Sequence, residues 1–400
     1  MRSIALVALL LGSCAAQTPA PATSLGAELP QVASFESTAL PEPLRGDALD
    51  DRLRERFARA LQAAQLQSDG RLAELALAIA EDSDAASRPP SYPVVSYHAR
   101  RVGLAEPTPQ VWLASGPNTE SLAVSLERAI AEAARTSRLT HAGAAAARVP
   151  GGVVMALALS NRAFALRQPV PRQVAQGSDV RLEMELAAGY GAPTIAVTDP
   201  EGRVTRESLG PDARFIYTLH PARAGEYTLE LLASGPEGLT VVAIVPVMVG
   251  RALEARAPTV DRGPVESDAR AVTEHLLRAI RDERKKRKLP ALAIDVTLTS
   301  IALAHSQDMV EHGFIAHTSK RTGDATARIA RAGLKPRLVL ENIGRGYSAS
   351  ELHRGLMESP GHRGNILHPD ARQIGIGVVA EREGDRYAFI ATELFTQLPP

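Results

Sequence analysis

Phe314-Ile315-Ala316-His317, Glu341-Asn342-Ile343 and Ser359-Pro360-Gly361-His362-Arg363-Gly364-Asn365-Ile366-Leu367 stand in that order in the last third of the chain. Two imidazoles and a carboxylate on three separate segments can converge on one site, and no other part of the sequence offers a comparable set. Six of the ten histidines (His305, His312, His317, His353, His362, His368) cluster between 305 and 368. A lone histidine in a Thr-, Ser- and Gly-rich loop, as at His317, is ordinarily exposed or satisfied by its neighbours. Glu341 differs. It follows Leu338-Val339-Leu340, so its carboxylate is expected to be partly buried, and a buried carboxylate needs a partner, for which a cationic or metal-bound imidazole would serve. His362 sits in a Pro-Gly turn with Arg363 and Asn365 alongside.

Around these segments the pattern is helical and then extended. Ser267 and Asp268 can cap a helix whose buried face is Val272, Leu276 and Ile280. It ends in the basic run from Arg281 to Lys288, which reads as a solvated face with cations near a helix C-terminus. Asp295 starts a second helix with Leu298, Ala302 and Met309 inward. A shorter one over 322–332 stops at Gly333, a natural C′ residue. Leu352 and Leu356 mark a helix that ends before Pro360-Gly361. Strands are expected at 374–380 and 387–395, joined by a turn at Gly384.

With these residues in place, the block 267–397 resembles the CAP superfamily, also called SCP-like: cysteine-rich secretory proteins, antigen 5 and plant pathogenesis-related 1 proteins. The bacterial branch is most similar, with F-x-x-H, E-N-I, S-P-G-H-R-x-N-I-L and the G-x-G strand that reads here Gly375-Ile376-Gly377. The resemblance covers about a third of the chain. It implies an α-β-α sandwich and a surface cavity lined by two histidines and one or two acids. His317, Glu341 and His362 map onto that set directly, with Asn342 beside them. Eukaryotic members carry a second Glu on the helix before the last histidine. This chain has Ser359 there and Glu358 next to it, and adjacent helical residues point about 100° apart. The candidate ligand-binding residues are therefore His317, Glu341, Asn342, Glu358, Ser359 and His362.

Two chemistries fit these residue types. Two neutral imidazoles can hold Zn²⁺ or another divalent cation, with His317 and His362 as metal ligands and Glu341 as a ligand, as an acceptor orienting a ligating histidine, or as a general base. A hydrolytic centre would also want a third firm ligand and an activated water, and the chain has no H-E-x-x-H helix. The favoured reading is a non-enzymatic one, in which the site binds a ligand, a divalent cation or a partner. The alternative is a metal-dependent hydrolase acting on peptide or envelope polymer, with His317, Glu341 and His362 as its catalytic candidates.

Upstream of this block, residues 165–250 change to a period of two. Val180, Leu182, Met184 and Leu186 alternate with polar residues, as do Phe215, Tyr217 and Leu219. Asp199-Pro200-Glu201-Gly202 is a turn signal. A central all-β sandwich is expected, serving as spacer or recognition module. Residues 251–266 read as a linker.

Residues 47–162 are expected to be an α+β domain and a worn copy of the C-terminal one. Asp69, Leu72, Ala76 and Asp82 match Asp295, Leu298, Ala302 and Asp308 without a gap, and Gly143 matches Gly375 further on. Val111 stands where the C-terminal block has Glu341, and nothing matches His317 or His362. The chain is thus multidomain.

Its start is a leader. Met1-Arg2-Ser3 precedes an apolar run from Ile4 to Leu11, whose eight helical residues span roughly 12 Å against roughly 30 Å of hydrocarbon. That length suits a signal peptide rather than a membrane span. Leu11-Gly12-Ser13-Cys14 resembles the bacterial lipobox, so 1–14 reads as a lipoprotein signal, with Cys14 the lipidated residue and the membrane anchor. Residues 15–46 read as a flexible tether. Ala15 after the cysteine favours the outer membrane if the cell is Gram-negative. An exported, extracytoplasmic protein with an envelope lipid, glycan or protein as its partner follows. Cys14 is the single cysteine, so no internal disulfide is expected. The formal net charge is zero, and nothing global suggests a nucleic-acid partner.

Overall fold

Asp50, Asp69, Asp268, Asp295, Asp324 and Ser348 each adopt an extended backbone and accept a hydrogen bond from the first turn of a helix. Such caps satisfy amide donors that a helix start leaves unpaired, which is why helices begin at these points in the sequence. The structure, a computed structural model, describes residues 32–36, 42–81, 90–107, 109–136, 139–236, 238–253, 268–383 and 386–399. The leader with Cys14 and Ala15, most of the 251–266 linker and the Gly384 turn lie outside these residues.

The chain opens with β1 (Ser34–Phe35) and β2 (Leu44–Arg45). The N-terminal domain continues with α1 (Asp51–Ala64), β3 (Gln67–Ser68), α2 (Gly70–Ala80) and α3 (Tyr92–Arg101). It closes with β4 (Gln110–Gly116), α4 (Thr119–Thr136), β5 (His141–Val149) and β6 (Gly152–Ser160). Its sheet runs β2-β5-β6-β4, with β3 also pairing β5. Helices α1 and α4 cover one face over Phe57, Leu61, Leu126 and Ile130. Helices α2 and α3 cover the other over Leu72, Ile79 and Val95.

The central domain comprises β7 (Phe164–Leu166), β8 (Val170–Pro171), β9 (Gln173–Val174), β10 (Val180–Leu186) and β11 (Gly191–Thr198). It continues with β12 (Val204–Ser208), β13 (Arg214–Leu219), β14 (Gly225–Gly235) and β15 (Gly238–Val249). A β13-β10-β7 sheet and a β12-β11-β14-β15-β9 sheet enclose one core. The alternating residues Val180, Leu182, Met184 and Leu186 all point into it, as period-two patterning requires. Residues 32–36 and 42–45 correct the expectation of a flexible tether over 15–46. β1 pairs β8, with Phe35 fully buried in the central core, and β2 pairs β5. The short apolar pieces Phe35 and Leu44 were too isolated to show any period.

The C-terminal domain contains α5 (Ala269–Lys286), β16 (Ala293–Ile294), α6 (Val296–His312), α7 (Ala325–Arg331) and β17 (Leu338–Gly346). It ends with α8 (Ala349–Glu358), α9 (Pro360–Ile366), β18 (Gln373–Glu383) and β19 (Arg386–Gln397). The sheet order is β16-β18-β19-β17. Helices α5 and α8 pack with Phe389 and Phe395 on one face, while α6 and α7 pack with Leu394 on the other. Gly375 and Gly377 let α6 lie directly on β18: a Cβ at Gly377 would strike the Leu303 backbone nitrogen. The basic run at the end of α5 is not uniformly solvated. Arg284 is fully buried, and its guanidinium donates to the carbonyls of Pro290, Ile366, His368 and Ala371. It thereby pins the loop after α9, the helix that carries His362.

Candidate functional site

Three segments bring the site together. His317 follows α6, Glu341 lies on β17, the edge strand of its sheet, and His362 lies in the first turn of α9. The side chain of Glu341 is 4% exposed and that of His317 is 35% exposed. His317 Nδ1 and Glu341 Oε1 are hydrogen-bonded at 2.9 Å, the imidazole donating to the carboxylate. In the neutral ring this tautomer leaves Nε2 as the acceptor. The other Glu341 oxygen is ion-paired with Arg328, which comes from α7 and is itself buried. Arg328 also donates to the His317 carbonyl at 3.2 Å and to the Gly323 carbonyl. One guanidinium thus fixes both the acid and the backbone of the histidine loop.

His305, buried on α6, anchors the same loop from below. Its Nε2 lies 3.0 Å from the Ala316 carbonyl oxygen, and burial lowers its pKa. Of the remaining clustered histidines, His312 pairs with Asp308 and His368 accepts from the Asp370 amide. His353 lines a separate cleft of about 420 Å³ with His275 and Arg354. Another of about 370 Å³ lies by Phe57 and Leu61 of the N-terminal domain. Neither contains His317, Glu341 or His362, so the site is defined by convergent polar groups rather than by either of these clefts.

Asn342 joins the two halves of the site. Its Nδ2 donates to the His362 carbonyl at 3.2 Å and to Glu393 Oε2 at 3.0 Å, while its Oδ1 accepts from Asn365 Nδ2 at 2.9 Å. Asn365 Nδ2 also reaches the Glu341 carbonyl at 3.1 Å. His362 keeps part of its surface open to solvent, yet its ring lies in dense protein. Burial, with the charges of His317 and Arg206 nearby, pushes its pKa down to about 3. The imidazole is therefore neutral near pH 7 and keeps a lone pair for a ligand or a donor.

Ser359 and Glu358 go elsewhere. Ser359 caps α9, accepting from the His362 amide, and its hydroxyl donates to Glu230 of β14 at 2.6 Å. Glu358 has Arg100 of the N-terminal domain and Glu226 of the central domain among its charged neighbours, and burial raises its pKa. It stands at the junction of the three domains.

Arg328, Glu393, Arg206 and Glu230 escaped the sequence reading. The need of Glu341 for a partner pointed to an imidazole, and nothing in the pattern pointed to Arg328, which ion-pairs with it. Glu393 is fully buried, its Oε1 has no hydrogen-bond partner, and burial raises its pKa to about 7.

The donor set does not suit a divalent cation. Among the described residues no group of three or more His, Cys, Asp or Glu side chains is placed to hold a metal ion. Glu341 already has its charge matched by Arg328 and its second oxygen engaged by His317. Two imidazoles without a third firm ligand fall short of the usual zinc site.

The model of the cysteine-rich secretory protein family, CAP, matches residues 277–396. The chain is 38% identical over 98 residues to the uncharacterized protein YkwD of Bacillus subtilis, covering 24% of this chain and 38% of that protein. It is 31% identical over 96 residues to the uncharacterized membrane protein YlbC of the same organism, covering 24% of this chain and 28% of that one. The chain thus spans less than two fifths of the length of these curated relatives. Among solved structures, an outer surface protein from Borrelia burgdorferi is similar over 33% of this chain and 96% of its own, at 24% identity and TM-score 0.30. An extracellular protein containing a SCP domain from Bacillus anthracis is similar over 60% of this chain and 87% of its own, at 17% identity and TM-score 0.30. The motifs, the site and the family match coincide on one segment: residues 277–396 match the CAP, cysteine-rich secretory protein, family model.

Proposed function

We propose that this chain is an exported, lipid-anchored CAP-domain protein that binds a ligand of the cell envelope, lipid, glycan or protein, through His317, Glu341 and His362. The observation that carries this reading is the pre-set geometry of the polar groups at the site. Arg328 neutralises Glu341, Glu341 fixes the tautomer of His317, and His362 is held neutral across from them. Such groups recognise polar ligand atoms without reorganising. The anchor at Cys14 rests on the Leu11-Gly12-Ser13-Cys14 sequence, and the outer-membrane destination on Ala15. No helix among the described residues is long and apolar enough to cross a membrane.

The N-terminal domain fits a worn copy of the C-terminal one. Both sheets place a long hairpin (β5-β6, β18-β19) between a short parallel strand (β3, β16) and an antiparallel edge strand (β4, β17). Asp69 and Asp295 cap equivalent helices, and Gly143 and Gly375 give those helices equally close approach to the sheet. Val111 sits on β4, as Glu341 sits on β17. The fold persists there without the acid, which supports use of the intact site.

Metal-dependent hydrolysis gains no support from this donor set. Glu341→Gln would abolish turnover in a hydrolase, and is read only in protein shown to be folded, because it leaves the buried Arg328 without its anionic partner. The binding reading is tested by co-sedimentation of the full chain with purified peptidoglycan sacculi and, separately, with phosphatidylglycerol vesicles. Wild type is expected to sediment with at least one of these, and His317→Ala/His362→Ala with neither. Equal partition of a folded double variant would overturn the proposal.

A further inference from the structure

We propose that Glu230 and Arg206 of the central domain are positioning residues for His362, so that the site of the CAP domain is built by two domains. Helix α9 is only seven residues long and carries His362 in its first turn. Both oxygens of Glu230 are taken up by the start of that helix. Oε2 accepts from the Ser359 hydroxyl at 2.6 Å, and Oε1 accepts from the Gly361 amide at 2.7 Å. The absence of a side chain at Gly361 admits the acid, since a Cβ there would collide with Glu230 Oε1.

Arg206 of β12 grips the same turn from beside it. Its Nη2 donates to the Gly361 carbonyl at 2.8 Å and to Asn365 Oδ1 at 3.2 Å. Asn365 in turn donates to Asn342 and to the Glu341 carbonyl, so a continuous hydrogen-bonded path runs from the central sheet to the acid of the site. Arg363, next to His362, donates to the Gly202 carbonyl at 3.2 Å.

The position of Glu230 makes the point physically. Its neighbours Leu229 and Leu231 face the central core, so Glu230 projects from the outer face of its sheet. In a free-standing central domain that face would be solvated and the carboxylate fully hydrated. Here it has no exposed surface, and burial raises its pKa. A carboxyl group is expensive to bury without donors, and the donors it finds are those flanking His362. Arg206 adds a positive charge beside the imidazole, which disfavours protonation of His362.

The inference deepens the ligand-binding reading of the site, but its test needs no ligand. The ring-proton shifts of His362 at fixed neutral pH and the amide exchange of residues 361–366 are followed by NMR in the full chain, in Glu230→Ala and in Arg206→Gln. Each variant should shift or broaden the His362 ring resonances relative to wild type. The Glu230→Ala amides at 361–366 should exchange about tenfold faster or more, as an opened local structure does. His305, remote from the central domain's grip, should keep its ring shifts. Glu230→Gln retains an acceptor for the Gly361 amide and should restore slow exchange. If Glu230→Ala fails to fold, Arg206→Gln carries the test, because Arg206 is an exposed side chain. Unchanged His362 ring shifts in the folded variants, with unchanged exchange, would overturn the proposal whether or not the site binds an envelope ligand.

Discussion

Glu393→Gln should remove much of the loss of stability that the C-terminal domain suffers as pH rises toward neutrality. Glu393 lies on β19 opposite Asn342, fully buried, with its pKa raised from 4.5 to about 7 by burial. An acid whose folded pKa is raised stays protonated in the fold while the unfolded chain ionises. Its contribution is therefore complete below about 4.5 and is lost as pH climbs through about 7. The gap of about 2.5 units corresponds to about 3 kcal/mol. Glutamine stays neutral and escapes that loss. It also gives Asn342 an acceptor, but leaves an amide donor where Glu393 Oε1 has no partner, at about 1 kcal/mol or more. The variant should thus be slightly less stable than wild type near pH 4.5 and about 2 kcal/mol more stable near pH 8. Native-state hydrogen exchange of the β18 and β19 amides, corrected for intrinsic rates at each pH, reads this domain separately from the other two. Parallel pH profiles for wild type and variant would refute the assignment of Glu393 as a buried neutral acid.

The other predictions concern the same scaffold. Arg328→Met leaves the Glu341 charge buried without its partner and should destabilise the domain by about 3–5 kcal/mol, with Arg328→Met/Glu341→Gln recovering part of the loss in thermal melts. Gly377→Ala should cost about 3 kcal/mol or more because the methyl group meets the α6 backbone, and Gly143→Ala should do the same in the N-terminal domain, each visible as a lowered Tm. His362, neutral in the fold down to about 3, should make stability fall as pH drops below about 6.5, and His362→Gln should flatten that acid limb in the same exchange measurement.

Much of this molecule was legible where chemistry is local. The caps Asp268 and Asp295, the stripe Val272-Leu276-Ile280 and the alternation from Val180 to Leu186 each fix an element through neighbours within a few residues, and each appears as expected. The triplet His317, Glu341 and Asn342 was legible as motif, and the structure brings His317 to Glu341 and ties Asn342 to His362. What stayed hidden depends on long-range contacts. Arg284 looked like one more solvated cation, because the carbonyls that bury it come from residues about 80 positions away. Helix α3 and strand β4 were missed: Tyr92–Arg101 starts at a Ser-Tyr-Pro segment with a mixed polar face, and in Gln110–Gly116 only Trp112 is buried, so no clear alternation marks the strand. β5 went unread because its alanines carry little hydrophobic contrast. Glu358 could not be placed from sequence, since its environment is set by Arg100 and Glu226 of two other domains. Glu230 reads as one polar residue on a sheet face until α9 is laid over it.

The most direct measurement of the central claim is to follow the ring-proton resonances of His317, His362 and His305 in the full chain by NMR. Soluble muropeptides and short-chain phosphatidylglycerol are added in separate titrations. The account predicts that His317 and His362 shift together and saturably with at least one of these ligands, while His305 beneath the loop stays put. If His317 and His362 remain fixed throughout both titrations, or if all three move in step, ligand binding by this site is contradicted.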